Sequence, residues 1–187
     1  MKKNILAVLV AATTVLSAQA FAAGNTAQLV IHGTVSNSDE SCNVTPGAGA
    51  ISGGTVVLDN VKATVLEAAA ANVPVLASAK DITYKIEDCK KGGNAYTGNL
   101  TVNVAGNYVS GQPQILTNEA ANPAAKTGIA LINGDSTRVK FDGTEAKTVA
   151  YKAGSPTILS YKAAYVKTAT GVTAGDVKGV ATFTITY

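Results

Sequence analysis

The chain has 187 residues, one histidine, no tryptophan and a formal net charge of +3, a length that as a prior suggests one domain. Only 14% of residues are charged, and past the N-terminal stretch Lys90-Lys91 is the one adjacent basic pair. Nucleic-acid binding needs clustered cations that displace counterions, and this scatter supplies none.

The N-terminus is read apart from the rest. Lys2 and Lys3 precede an uncharged, largely apolar run of twelve residues, 5–16. Small residues then offer two A-x-A patterns, Ala18-Gln19-Ala20 and Ala20-Phe21-Ala22. This is the three-part layout of a secretory signal peptide. A membrane anchor is the weaker reading, since the run is short of the roughly 20 residues a spanning helix needs. Residues 1–22 are therefore expected to be a signal, cut near Ala22 or Ala23. Without Lys2 and Lys3 the fifteen basic residues become 13, against 12 acidic.

Residues 25–33 follow directly and favour an extended chain. Ala27, Leu29 and Ile31 share one face, with Gln28, Val30 and His32 on the other. An ordinary first strand of a sheet is an equally good reading of that alternation alone. Cys42 and Cys89 lie 47 residues apart in a chain expected to be exported, where disulfides persist. Two Cys and one His do not complete a structural zinc site without carboxylates, so a disulfide is the expected state. Residues 63–71 suit a helical turn or two between strands, limited by Pro74.

Period-two alternation then recurs, the mark of half-buried strands. Ile82, Tyr84 and Ile86 form one such set, and Leu100, Val102 and Val104 another. Leu159, Tyr161, Ala163 and Tyr165 form a third, and Ala181, Phe183, Ile185 and Tyr187 close the chain. Turn residues separate the runs: Gly92-Gly93-Asn94, Gly106-Asn107, Asn133-Gly134-Asp135, Asp142-Gly143, Gly154-Ser155-Pro156 and residues 171–175. Short strands at this spacing predict an antiparallel β-sandwich.

Several pieces, in order, resemble chaperone–usher pilins: Gly33-Thr34-Val35 ahead of Cys42, residues 82–89 (ITYKIEDC), 100–106 (LTVNVAG), 127–133 (TGIALIN), 159–165 (LSYKAAY) and the ending from Gly175 to Tyr187. The resemblance implies an all-β fold, an immunoglobulin-like sandwich lacking its last strand. The final strand, about residues 177–187, would then border an open groove of unpaired N–H and C=O groups. The resemblance further implies that residues 23–33 are a donor-strand extension, with Ala27, Leu29 and Ile31 entering a neighbour's groove, and residues 34–187 the pilin domain. Gly175, Ala181, Phe183, Ile185 and Tyr187 would form the strand a periplasmic chaperone pairs with before an outer-membrane usher passes the subunit on. The family's glycine and penultimate tyrosine are twelve positions apart. Gly175 and Tyr187 keep that spacing, but the sequence stops at Tyr187. The expected function is a structural, adhesion-supporting fimbrial subunit at the cell surface, whose partners are identical or related pilins, chaperone, usher and, through the fimbria, a host receptor.

No cofactor, metal or catalytic set is expected. His32 is expected to face away from the docking side, and nothing places a Ser-His-Asp arrangement around it. Lys90-Lys91-Gly92-Gly93 lacks the spacing of a phosphate loop. Asp39-Glu40 and Glu87-Asp88 have no cleft partner in sight, and Asp135 and Asp142 have no calcium-loop spacing. A tip adhesin, which in this family carries a further lectin domain, and a monomeric carbohydrate-binding sandwich are the alternatives; the second has few aromatics to offer a sugar.

Overall fold

The computed structural model describes residues 27–34, 40–49 and 54–187, without the side chains of 31–34 and 40. The signal-peptide reading of residues 1–22 lies outside the described residues. In chain order the strands are β1 Ala27–Thr34, β2 Glu40–Pro46, β3 Thr55–Leu58, β4 Lys80–Lys91, β5 Asn94–Ala95 and β6 Gly98–Gly106. They continue with β7 Tyr108–Val109, β8 Gln112–Thr117, β9 Thr127–Asn133, β10 Asp142–Tyr151, β11 Thr157–Lys167 and β12 Val177–Thr186. One short helix, α1 Ala63–Ala68, and a 3-10 turn, Leu76–Ser78, sit between β3 and β4.

The strands form a two-layer β-sandwich, as the alternation and the resemblance led one to expect. One sheet runs β10-β6-β12-β1-β3; the other runs β2-β4-β11-β9-β8-β7, with β5 paired to β4. Side chains in β4, β6, β11 and β12 point inward at the positions the alternation marks: Ile82, Ile86, Leu100, Val102, Leu159, Tyr161, Ala181 and Phe183 are all buried. Burial of a Leu, Ile or Phe side chain contributes about 1.5–3 kcal/mol before entropy is counted. A core of small aliphatic residues therefore gains from the three larger rings at its centre. Phe183 lies 5.3 Å from the Tyr161 ring and 5.7 Å from that of Tyr84.

Two elements differ from the alternation. β9 is buried on both faces, and in β11 Ala164, expected on the outer face, is buried, as is Val166 on that same face. On the outer face Val166 packs with Ala130 and Ile115, with Val109 against them, and beyond the end of β4 residues 72–75 pair with the free edge of β11. Asn72 N donates to Lys167 O at 2.7 Å, Val75 N to Tyr165 O at 2.9 Å, and Pro74 bridges Val166. Arg138 ties this edge segment to β8, donating to Asn72 O and Gln114 O at 2.9 Å each. Asp142-Gly143, read as a turn, instead opens β10. The register against β6 shifts between Asp142 and Ala146, and Gly143 takes φ +73°. Asp142 Oδ1 accepts the Thr144 N–H at 3.0 Å, so the same turn chemistry makes a bulge inside a strand.

Candidate functional site

The long strand β12 has two unlike borders. On one side it pairs antiparallel with β6, from Ala181↔Gly106 to Thr186↔Thr101. On the other it pairs parallel with β1, from Ala27↔Val177 through Ile31↔Ala181 to Thr34↔Thr184. β3 closes the far side of β1, antiparallel, at Ala27↔Leu58 and Leu29↔Val56. Beside the last strand, where an open groove was expected, this single chain has its own residues 27–34 seated as a strand in the slot between β12 and β3.

The slot is apolar at its floor. Ala27, Leu29, Val56, Leu58 and Ala181 are each 2% exposed or less. Gln28 and Val30 are only partly covered, so within this chain it is the Ala27 and Leu29 face that turns to the core. The side chains of Ile31 and His32 lie outside the described residues. Parallel pairing follows from connectivity. Residues 35–39 alone separate β1 from β2, whose Cys42 lies beside the end of β12, so β1 must finish at that end.

The C-terminal end of β12 is held by rings and sulfur. Cys42 and Cys89 form the expected disulfide, joining β2 to β4. Tyr187 sets its hydroxyl 3.1 Å from Cys42 Sγ and its ring edge-on to Tyr96, centroids 4.8 Å apart. Lys91 Nζ stands 5.8 Å from the Tyr96 ring centre and 5.9 Å from that of Tyr187. Tyr151 completes the group, giving a hydrogen-bond acceptor to Cys89 N at 3.2 Å. Deeper in, the Tyr84 hydroxyl is buried with no partner, and burial pushes its pKa up to about 12. That phenol does no acid–base work at ordinary pH.

The Ala27 end is built from loops the alternation did not reveal. Gly175 is required there by a close approach: a Cβ on it would lie 2.5 Å from Ala124 N and 2.7 Å from the Pro123 carbonyl carbon. Asn118 knits the same region. Its Nδ2 donates to Asp176 O at 2.8 Å and to Ala124 O at 3.1 Å, while its Oδ1 accepts from Lys178 N at 2.9 Å. Across the slot, Glu67 of α1 accepts from Gly171 N at 3.1 Å and Val172 N at 2.9 Å. Those two N–H bonds, ahead of the Lys167 charge, hold the Glu67 carboxyl below its ordinary range. Tyr165 donates to Asp59 O at 2.8 Å. A small cavity between α1, residues 173–175 and Ala124 meets the methyl of Ala27. Nothing in the alternation singled out Glu67 or Asn118, because both act through partners far away in sequence.

The acidic pairs considered earlier have plain roles where they are described. Glu87 pairs with Lys85 at 2.5 Å, and Asp88 accepts from Asn43 Nδ2 at 3.1 Å. Among the described residues no three His, Cys, Asp or Glu side chains gather as metal ligands. The geometry suits holding an extended strand, by two rows of backbone bonds and a row of apolar sockets.

Comparison with known proteins points the same way. The sequence profile of a family described as fimbrial protein matches residues 29–187. The S-fimbrial protein subunit SfaA of Escherichia coli O6:K15:H31 (strain 536 / UPEC) is 28% identical over 135 residues, 71% of this chain and 70% of SfaA. A subunit in a solved chaperone–usher pilus, from a study of rod uncoiling, superposes with TM-score 0.56 and 25% identity, over 78% of this chain and 86% of that one. The CupB6 tip adhesin of Pseudomonas aeruginosa matches with TM-score 0.49 and 27% identity over 63% of this chain; the match spans about a third of the adhesin, 32%.

Proposed function

We propose, from the premise that this chain belongs to the fimbrial protein family and is a structural subunit of a pilus, that it polymerises by passing residues 27–33 into the slot of a neighbouring copy. The family is one of structural proteins of the surface fimbrium, and related pilins are its assembly partners. The route is the finer reading: export through the periplasm, a chaperone strand occupying the slot first, an usher releasing it, and the fibre serving adhesion.

One observation carries the strand-transfer reading. Only a terminal segment, joined to the body by residues 35–39, stands between β12 and β3. Without it both strands lose a row of hydrogen bonds, and the apolar side chains that Leu29 covers meet water. Ala27, Leu29 and Ile31 are the docking set in this proposal. Ala181, Phe183 and Ile185 line the receiving strand, with Gly175 and Tyr187 at its two ends. The self-filled slot supports a second, monomeric state of the same chain, in competition with the polymer.

The test removes residues 24–33 from the mature protein. The shortened chain is expected to be unstable or aggregated alone and to be restored by a synthetic peptide of those residues. A stable, cooperatively unfolding monomer without peptide would sink the proposal.

A further inference from the structure

When β1 leaves the slot, β12 and β3 have no hydrogen-bonded ladder between them. The spacing of the two walls then rests on what joins them outside the sheet. At the Ala27 end that joint is α1, which follows β3, bonded to residues 171–172, which precede β12. Lys167, itself 7% exposed, donates to the Glu67 carbonyl at 2.5 Å and so fixes the residue whose carboxylate reaches across. Its ammonium is also the charge that acts on Glu67. Ala63 and Leu66 of the same helix share a cavity with Ala27 and with Thr173, Ala174 and Gly175.

We infer that Glu67 is a positioning residue for strand exchange: by tying α1 to the loop before β12, it latches the end of the slot in which Ala27 is seated. The inference rests on the strand-transfer reading above. Glu67 touches no atom of the docked strand in the bonds described. It acts through Gly171 and Val172, which lead directly into residues 173–175 at the cavity shared with Ala27. With the latch open, those residues are free to move away, and the resident strand frays from its first residue.

The experiment uses the mature, self-filled chain and a fluorescein-labelled peptide of residues 24–34, with uptake followed by anisotropy and the fold by circular dichroism. Glu67→Ala is expected to speed uptake about fivefold or more, from the loss of two charge-assisted bonds. Glu67→Gln, whose neutral amide oxygen can still accept both N–H groups but without the charge, should fall between Glu67→Ala and wild type. If Glu67→Ala does not fold, Glu67→Asp, one methylene too short to reach, is read in its place. Equal uptake by wild type and the shortened or truncated variant overturns the latch and leaves strand transfer standing. Absence of uptake by the wild-type chain overturns strand transfer itself.

Discussion

The Sγ of Cys42 and the hydroxyl of Tyr187, 145 positions apart in the chain, meet at 3.1 Å. The disulfide that joins β2 to β4 therefore also seats the last residue of the sequence. A cross-link over 47 residues lowers unfolded-state entropy by an amount worth about 4 kcal/mol. The double variant Cys42→Ser, Cys89→Ser should lose about that much in denaturant unfolding. Tyr187 should also become more exposed than wild type to a surface-labelling reagent. Unchanged Tyr187 labelling would separate the disulfide from the seating of the C-terminus.

Leu29 is fully buried between β12 and β3. Leu29→Ala should cost roughly 2–5 kcal/mol of the self-filled monomer's stability, and Leu29→Asp should empty the slot. Expressed in bacteria, Leu29→Asp and Ile31→Asp should both reach the chaperone yet stay out of fibres. Fibre yield equal to wild type, measured by electron microscopy of sheared material, would contradict the role assigned to the segment.

Phe183 is packed against two tyrosine rings from the opposite sheet. Phe183→Ala should destabilise the fold by roughly 3–5 kcal/mol. Removal of residues 183–187 should abolish co-purification with a chaperone, since the strand offered for pairing is halved. A truncated chain that still co-purifies would defeat that assignment.

Gly175 admits no Cβ without displacing the Pro123–Ala124 backbone. Gly175→Ala should cost about 1–3 kcal/mol, an overpacking penalty that no side-chain rotation relieves. Thermal unfolding within 1 °C of wild type would show that the close approach is relaxed in solution.

Acid should loosen the latch. The folded Glu67 carboxyl is held below its ordinary value, so its contribution is complete above the unfolded pKa and fades as pH falls through the lower folded one. Peptide uptake should accelerate at pH 3 relative to pH 7 in wild type. The Glu67→Gln chain, with nothing to titrate there, should show a smaller change. Matching pH profiles for the two proteins would place the acid response elsewhere.

Strands half buried on one face were legible because their alternation is imposed by a single apolar side: β4, β6, β11 and β12 show it plainly. β10 was not, since much of it is solvent-exposed at a sheet edge and nothing forces an alternating pattern upon it. The burial of Val166 was hidden for another reason: it depends on Ala130, Ile115 and Val109, and contacts at that separation leave no local signal. In the candidate site, Ala27 and Leu29 were found from their spacing, and Cys42 and Cys89 from parity and compartment. Glu67 and Asn118 were invisible, because a side chain that bonds distant backbone looks like any exposed polar residue. Gly175 was noticed through the family's ending; its physical cause, the nearness of Ala124, emerges only in three dimensions.

The parallel run of β1 along β12 has a kinetic corollary. A tethered strand presents itself to its own slot at an effective concentration on the order of millimolar, far above that of free subunits in dilute solution. Under the strand-transfer reading, a stray subunit shuts on itself before it meets another. Growth of a fibre then demands either local crowding beyond that threshold or a helper that keeps the tail out until a neighbour is in reach. Subunits shed singly would accumulate as inert, closed monomers, so assembly is confined to the place where subunits are gathered.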